Sequence, residues 1–364
     1  MQAKGFTDMH THFFLGANAP TGFYSLYDQL VDPHTDEALY ILKGGPGSGK
    51  SSFLKTITKG LQDAGLAVEQ IHCTAEPDSL DAIYIPALKT AYADGTSPHI
   101  LEPAYMAVMD QYINLGIFYD TAALRPYKTE VIDKTRAYQT RYARAYDCLA
   151  AAKGVIGDLA APLVDENTVA AVQKRTRGII AREIGKKRRG QGKITYRFLT
   201  ALTHRGYVTR FDTVEALATR VYHLDNNFGL AHHMLSDLVK AATDAGLDCV
   251  LCPSPMDPEV YEHLLIPALD LAFVSSNHEI SYTGPAYRHI RLDAMVDREC
   301  LKNHRARIRF SKKVFALLIS EVVTTLTEAK ELYDEIEQLY NPHVDWDGVY
   351  ALAEVHLQAL LGQV

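Results

Sequence analysis

A glycine-rich segment followed by lysine and serine is the part of the sequence best suited to chemistry. It reads Gly44-Gly45-Pro46-Gly47-Ser48-Gly49-Lys50-Ser51-Ser52. Glycines let a backbone fold around an anion with its N–H groups pointing inward, and a following helix adds its positive end. Lys50 would reach the β- and γ-phosphates of a nucleotide, and Ser51 would supply an oxygen ligand to Mg²⁺. We therefore predict that residues 44–52 bind a nucleotide and that Lys50 is also catalytic.

The flanking segments have the patterns that would position such a loop. Residues 38–43 are a short apolar run, which predicts a strand, and residues 50–65 have the spacing of an amphipathic helix. Residues 87–94 predict another strand, which ends at Asp94. A carboxylate at this end of a neighbouring strand can hold Mg²⁺, so Asp94 is predicted to be catalytic and, with Ser51, a metal ligand. A simple turn is the alternative for Asp94, because Asp-Gly is common in turns.

The composition is that of an ordinary globular protein. The chain has 364 residues, of which 47% are hydrophobic and 22% are charged, so it can bury a substantial core. A net charge of −7 disfavours binding to nucleic acid without excluding it. There is no apolar run of membrane-spanning length and no secretory signal, and five cysteines favour a reducing compartment. We therefore expect a cytoplasmic protein with no membrane partner.

The two halves of the chain repeat one another. Ala64-Gly65-Leu66 recurs as Ala245-Gly246-Leu247, and Ile85-Pro86-Ala87-Leu88 recurs at the same offset as Ile266-Pro267-Ala268-Leu269. We therefore predict an α/β protein of two tandem nucleotide-binding-type domains, at residues 1–190 and 191–364. Each is expected to be a parallel sheet flanked by helices, with an added α-helical region.

The second copy lacks the groups that would carry the chemistry. At the repeat offset, Lys50 corresponds to Ala231 and Asp94 to Ser275. Phe228 takes the place of a loop glycine and would fill the space that a phosphate needs. The second domain is therefore predicted to be an inactive scaffold or a surface for a protein partner.

Further residues near Asp94 could take part in a reaction. Thr96 and His99 could sense a γ-phosphate or bind a second substrate, although one structural hydrogen bond is the simpler expectation for His99. Four carboxylates could orient a water molecule or accept a proton. The sequence does not choose among Glu76, Asp78, Asp81 and Glu102.

Other segments allow two interpretations each. The spacing of Asp8, His10 and His12 is found in metal-dependent hydrolases, but a polar N-terminal segment is the simpler interpretation. The basic segment 174–193 predicts a solvated linker or a mobile lid. The basic and aromatic residues 136–146 predict a solvated helix face or a surface that stacks on nucleic-acid bases.

Three more local patterns give structural expectations. Residues 16–30 predict a turn and then an aromatic-rich helix, and residues 76–81 predict a loop or the start of a helix. Cys249 and Cys252 lie in a predicted strand, where neighbours three apart face opposite ways, so they are expected to be buried cysteines rather than a redox or zinc pair.

The glycine segment, the Asp94 strand and the following helical region resemble the P-loop NTPase superfamily. More narrowly, the chain is similar over nearly its whole length to an uncharacterised bacterial family of tandem P-loop proteins described as ATPases. The resemblance rests on Gly22-Phe23-Tyr24-Ser25, residues 42–51, Asp78-Ser79-Leu80-Asp81, Asp94-Gly95-Thr96-Ser97-Pro98-His99, and Pro258, Glu262-His263 and Ile266-Pro267. It implies ATP rather than GTP as the nucleotide and a silent second domain, but no second substrate.

Three classes of function are therefore open. The favoured one is a Mg²⁺-dependent ATPase that hydrolyses ATP in the first domain alone. The second is a kinase that transfers the γ-phosphoryl group to a small acceptor. The third is a non-enzymatic nucleotide-sensing module that binds a partner through its second domain.

Overall fold

The structure is a computed structural model that describes residues 10–185 and 190–364. The first repeat contains eight strands within this part of the chain. They are β1 (Thr11–Phe13), β2 (Gly16–Ala19), β3 (Gly22–Ser25), β4 (Ala38–Lys43), β5 (Glu69–His72), β6 (Leu80–Ile85), β7 (Thr90–Asp94) and β8 (Asp110–Asn114). Its helices are α1 (Lys50–Asp63), α2 (Thr121–Leu124), α3 (Lys128–Ala160) and α4 (Glu166–Glu183).

The second repeat has corresponding elements in the same order. Its strands are β9 (Ile194–Tyr196), β10 (Thr200–Thr203), β11 (Gly206–Thr209), β12 (Arg220–Asp225), β13 (Cys249–Ser254), β14 (Asp257–Ile266), β15 (Leu271–Ser276) and β16 (Arg288–Arg291). Its helices are α5 (Phe211–Leu217), α6 (Ala231–Asp244), α7 (Arg298–Asn303), α8 (Arg305–Tyr340) and α9 (Trp346–Leu361). A short 3₁₀ segment, Tyr27–Gln29, takes the place of α5 in the first repeat.

Each repeat builds a six-stranded mixed sheet. The strand orders are β1-β5-β6-β7-β4-β8 and β9-β13-β14-β15-β12-β16, which are equivalent. β6 and β14 run antiparallel to both of their neighbours. The predicted α/β class and repetition are confirmed, but the prediction of a parallel sheet is wrong. The connections on either side of β6, residues 73–79 and 86–89, are too short for the crossover that a parallel neighbour needs.

Residues 16–25 form the β2–β3 hairpin with a turn at residues 20–21, so the predicted turn is present but the aromatic-rich helix predicted after it is wrong. Gly22 adopts a φ of +111° where the chain reverses, a conformation that glycine tolerates and other residues rarely adopt. Phe23 and Tyr24 then point to opposite faces of β3 as strand neighbours do, and Tyr24 packs edge-on against Phe198 of the second repeat. Of the two alternatives for residues 76–81, the loop is confirmed at residues 76–79, and it leads into β6 and not into a helix.

The repeats meet about an approximate twofold axis. Phe14 and Phe198, which are equivalent residues, exchange two backbone hydrogen bonds of 2.9 Å. Nearby, the side-chain amide of Asn18 donates to the carbonyl oxygen of its own equivalent, Leu202, at 2.9 Å. A contact in which a residue meets its own counterpart is the geometry of a symmetric dimer. The chain is therefore organised as a dimer of repeats within one polypeptide.

The basic and aromatic stretch 136–146 lies in α3 and faces α8. Arg141 pairs with Glu328 at 2.6 Å, and Tyr138 packs edge-on against Tyr333 with ring centroids 5.9 Å apart. Its role in the structure is to join the two repeats along their longest helices.

The last long helix of each repeat packs against the other repeat. α4 contributes Val172 and Ile179 to the core that contains α6, whereas α9 contributes Ala353 and Leu357 to the core that contains α1. The approach of α9 is close at Gly60, where an added Cβ would lie 2.2 Å from a Leu357 methyl group. Each core is thus completed by a helix exchanged between the repeats. No helix of the described segments is both long and apolar enough to span a bilayer.

Candidate functional site

The loop of residues 44–49, called the glycine loop below, joins β4 to the start of α1. β4 lies between β7 and β8 and is parallel to both. Gly47 and Gly49 have φ values of +66° and +82°, which side chains rarely allow. Gly49 directly precedes the first residue of α1, so the loop leads into the positive end of a fourteen-residue helix. The predicted strand, loop and helix are all present.

Lys50 is folded back over the glycine loop. Its ammonium group donates to the carbonyl oxygens of Gly44 and Gly45 at 2.9 and 3.0 Å. The same nitrogen lies 3.7 Å from Asp94 Oδ2, and the lysine side chain is 12% exposed. A phosphate oxygen that replaced the two carbonyls would therefore meet an already positioned and partly desolvated cation.

Asp94 lies at the carboxyl end of β7, in register with Leu42 of β4. Its Oδ1 accepts hydrogen bonds from the backbone and hydroxyl of Thr96 at 2.8 and 2.6 Å. Burial alone would raise the pKa of Asp94, but His99, Lys50 and Thr96 lower it below its ordinary value. The carboxylate is therefore kept ionised although it is buried, as a cation ligand must be.

The serines of the predicted site have different surroundings. Ser51 Oγ accepts a hydrogen bond from the backbone N–H of Leu80 at 3.0 Å, which leaves its own hydrogen free to donate. Ser48 Oγ is buried and has no hydrogen-bond partner in the described part of the chain. Ser52 is half-buried within α1, where its carbonyl accepts from Thr56. An unsatisfied hydroxyl inside the loop is suited to a ligand that brings hydrogen-bond acceptors.

Most of the four candidate carboxylates already have cationic partners. Glu76 and Asp78 both pair with Arg205 of the second repeat, and Glu102 pairs with Lys43 at 2.7 Å. Asp81 differs, because it is 8% exposed and lies beside Asp94 and His99. Burial raises the pKa of Asp81 above its ordinary value, and His99 opposes that rise. The structure therefore brings Asp81 and His99 together with the predicted site and assigns the other three acids to ion pairs.

The second repeat covers the glycine loop. An added Cβ on Gly47 would lie 2.6 Å from Asn341 Oδ1, and one on Gly49 would lie 3.0 Å from Val349 and 3.1 Å from Trp346. These residues lie at the turn between α8 and α9, or at the start of α9. The glycines therefore allow the exchanged helix to approach the loop as well as allowing the loop its conformation.

Tyr119 of the first repeat and two residues of α8, Tyr340 and Glu337, complete this cover. The Tyr119 hydroxyl donates to the Pro46 carbonyl at 2.7 Å, and its ring packs against Tyr340 with centroids 5.3 Å apart. Burial raises the pKa of Glu337, while Lys330, the Gly47 N–H and Lys50 oppose the rise. The Glu337 carboxyl group of α8 thus lies near Lys50 and the Gly47 N–H, the two groups that would attract a phosphate.

A cavity of about 440 Å³ opens beside Gly45. Its wall combines apolar side chains with two cations and the two tyrosines of the cover. The lining residues include Tyr119, Leu124, Arg125, Lys128, Ile132 and Tyr340. Such a wall can accept an aromatic or sugar group next to an anion.

In the equivalent loop of the second repeat, side chains of the protein accept hydrogen bonds from two backbone N–H groups. Asn226 Oδ1 accepts the N–H of Ala231 at 2.8 Å, and the N–H of Asn227 donates to Asp293 at 2.9 Å. Ala231, at the position of Lys50, is fully buried. The first N–H of α6 is therefore already paired with Asn226, and the position of Lys50 offers no cation to an anion.

The remaining predicted features lie elsewhere. Of the hydrolase-like residues, Asp8 is outside the described residues, and His12 Nδ1 lies 2.9 Å from His72 Nε2. The groups of described side chains that could hold a metal include neither His10 nor His12. In the basic segment, residues 174–183 belong to α4 on the second core, and residues 186–189 are outside the described part. Cys249 and Cys252 are buried free thiols, as expected.

Comparison with models of known protein families, with curated proteins and with solved structures found no match. The geometry of the site is therefore the basis for assigning a function.

Sequence reasoning missed the residues that cover the loop, which include Glu337, Tyr340, Asn341 and Trp346. They lie far from the loop in the sequence, near the end of the second repeat, and their local sequence is that of an ordinary helix end. The repeat predicted an α-helical region in each half, but it carries no signal that helices are exchanged between the halves.

Proposed function

We propose that the protein is a Mg²⁺-dependent ATPase with one site, in which the glycine loop is a P-loop and the second repeat is an inactive cover. One observation carries the proposal. Lys50, held on the loop carbonyls, lies 3.7 Å from a buried carboxylate at the carboxyl end of the adjacent parallel strand. Anionic ligands of α/β sheets bind at this end of the strands.

The residues at the site fit both ATP and Mg²⁺. The orphaned Ser48 hydroxyl and the start of α1 suit phosphate oxygens, whereas the Ser51 hydroxyl and the Asp94 carboxylate are hard oxygen ligands for Mg²⁺. When bound, Mg²⁺ would neutralise charge that develops on the phosphates. The cavity beside Gly45 would receive the remainder of the nucleotide, with Arg125 and Lys128 supplying further positive charge.

The chain's own residues would act by positioning and by charge. Lys50 would exchange its two carbonyl acceptors for phosphate oxygens and would leave the loop backbone N–H groups to hold the same phosphate. Asp94 would stay ionised because Thr96 and Lys50 stabilise its charge. Glu337 would be displaced from the loop by the incoming negative charge.

The cover formed by α8 and α9 favours nucleotide-dependent switching as the second candidate. Because Asn341 and Trp346 contact the loop glycines, filling the loop would shift the second repeat with or without hydrolysis. The kinase alternative gains no such support, since the described part of the basic segment packs on the second core, away from the loop.

The first test is calorimetric titration with a non-hydrolysable ATP analogue and Mg²⁺. We expect one site per chain, and Lys50→Ala should weaken binding by at least about 100-fold, because charge-assisted bonds to phosphate are lost. Lys55→Ala is the matched control, since Lys55 lies exposed on the same helix. Equal effects of the two substitutions, or two sites per chain, would contradict the proposal.

The second test separates hydrolysis from sensing by measuring phosphate release with Mg²⁺. Asp94→Asn should lower turnover more than it lowers nucleotide affinity, since it removes charge from a metal ligand. Wild-type protein that binds the nucleotide tightly but releases no phosphate would favour the switching function instead.

A further inference from the structure

Behind the glycine loop lies a cluster of three buried side chains, Asp81, Asp94 and His99. Their exposed fractions are 8%, 7% and 6%. One potential ligand atom from each lies within 4.8 Å of those of the other two. Asp81 and Asp94 face one another from antiparallel strands, one residue beyond the Ala82–Ala93 pair. The sheet itself therefore holds two carboxylates together, and the loop after β7 brings an imidazole to them.

His99 is the unusual member of this cluster. Neither of its ring nitrogens has a hydrogen-bond partner among residues 10–185 and 190–364. Its Nε2 lies 3.9 Å from Asp94 Oδ2, which is longer than a hydrogen bond. The Tyr27 ring stacks on the imidazole with centroids 4.6 Å apart and fixes its orientation. A buried polar ring without a partner is costly, and a ligand shared with the carboxylates would remove that cost.

Neighbouring groups orient the two carboxylates. The Tyr27 hydroxyl donates to Asp81 Oδ2 at 3.2 Å. Thr96 donates twice to Asp94 Oδ1, so Asp94 Oδ2 is left facing Lys50 and His99. Hydrogen bonds of this kind fix the ligands of metal sites and tune their basicity.

We propose that Asp81, Asp94 and His99 bind a divalent transition-metal ion of the Mn²⁺, Fe²⁺ or Co²⁺ class. One imidazole and two carboxylates suit these ions, whereas Mg²⁺ prefers oxygen ligands alone. Bonds of about 2.1 Å place adjacent ligand atoms roughly 3–4 Å apart, so small inward movements would close the site. Lys50 lies 3.7 Å from Asp94, and the bound metal ion would offset the remaining negative charge of the two carboxylates.

The same positions in the second repeat do not reproduce this set. At the repeat offset, Glu262 replaces Asp81, Ser275 replaces Asp94 and the buried Ile280 replaces His99. The metal site is therefore assigned to the first repeat. This metal site rests on the proposed function in one respect, because Asp94 belongs to both the nucleotide site and the metal site. Metal binding is tested without nucleotide, so that either proposal can fail alone.

The experiment titrates chelator-treated protein with Mn²⁺ by calorimetry and examines the bound ion by pulsed electron paramagnetic resonance. The background variant is His289→Asn, which disrupts the other described group that could hold a metal, His223, Asp225 and His289. In this background we expect one bound Mn²⁺ per chain and a magnetic coupling to nitrogen. His99→Phe, which keeps the stacking on Tyr27, should weaken Mn²⁺ binding at least about 100-fold and abolish the nitrogen coupling. Tyr27→Phe should weaken it about 10-fold.

His356→Phe is the matched control, because it removes a half-buried histidine from an aromatic cluster elsewhere. It should leave Mn²⁺ affinity unchanged. The proposal is overturned by an absence of Mn²⁺ binding in the folded background protein. It is also overturned by bound Mn²⁺ without nitrogen coupling, a result that needs no variant at His99.

Discussion

The buried ion pair between Arg197 and Glu69 should be a main determinant of the contact between the repeats. Arg197 Nε donates to Glu69 Oε1 at 2.8 Å, and the two side chains are 4% and 1% exposed. Another guanidinium nitrogen donates to the carbonyl oxygens of Gln29 and Tyr196 at 2.9 Å. We predict that Arg197→Met strongly destabilises the folded protein, because it leaves the Glu69 carboxylate buried without a cation.

The magnitude follows from the loss of one partner in a buried pair. Such a loss costs about 3–5 kcal/mol in the free energy of unfolding. The upper part of this range is expected, since Glu69 Oε2 already lacks a partner in the described segments and two carbonyls also lose a donor. With an unfolding entropy of about 2 cal/mol/K per residue, a chain of 364 residues should melt about 4–7 °C lower.

The assay is urea and thermal unfolding followed by circular dichroism. The matched control is Arg205→Met, which removes another arginine that pairs across the repeats but is 44% exposed. An exposed pair contributes about 1 kcal/mol or less. Combining Arg197→Met with Glu69→Gln should restore part of the lost stability, because the buried charge is then gone. Equal melting of the Arg197 and Arg205 variants would refute the reasoning.

Two further predictions concern acids of the second repeat. Glu337→Gln should raise nucleotide affinity about 10-fold by calorimetry, which corresponds to roughly 1.4 kcal/mol. The reason is that it removes a negative charge near Lys50 and the Gly47 N–H. Unchanged affinity would contradict an effect of this charge on the glycine loop. Burial raises the pKa of Glu262 to about 7, so between its ordinary value and pH 7 the folded protein retains a proton that the unfolded chain loses. The free energy of unfolding of the wild type therefore falls as pH rises. Glu262→Gln lacks this dependence, so its free energy of unfolding should rise by up to about 3 kcal/mol relative to wild type between pH 5 and pH 8. A constant difference across urea titrations at these pH values would show that the carboxyl group is not held protonated.

The parts of the site that sequence could predict are those specified locally. β4, the glycine loop and α1 follow directly from an apolar run, four glycines and an amphipathic pattern. The constant repeat offset also identified the positions in the second repeat that are equivalent to Asp94 and Asp81, because the two sheets keep the same register. Local chemistry and repetition therefore located the centre of the candidate site.

The rest depends on contacts between distant segments. An amphipathic pattern shows that α9 has an apolar face, but it does not tell whether that face covers α6 or α1. His99 follows a turn, and its burial depends on Tyr27. Tyr27 lies in a short 3₁₀ segment after the β2–β3 hairpin and not in the longer helix predicted for residues 16–30. The antiparallel direction of β6 could not be predicted from its own residues, because two short connections set that direction.

The exchange of α4 and α9 has a consequence for the order of events during protein synthesis. Many tandem proteins complete their N-terminal unit while the ribosome is still translating the next. Here the face of α1 that carries Phe53 and Ile57 is covered by α9, which is translated after every strand of the second sheet. The nascent first repeat must therefore keep an apolar surface exposed until the second repeat has been made. Assembly of the covered candidate site is consequently a late event that needs the whole chain.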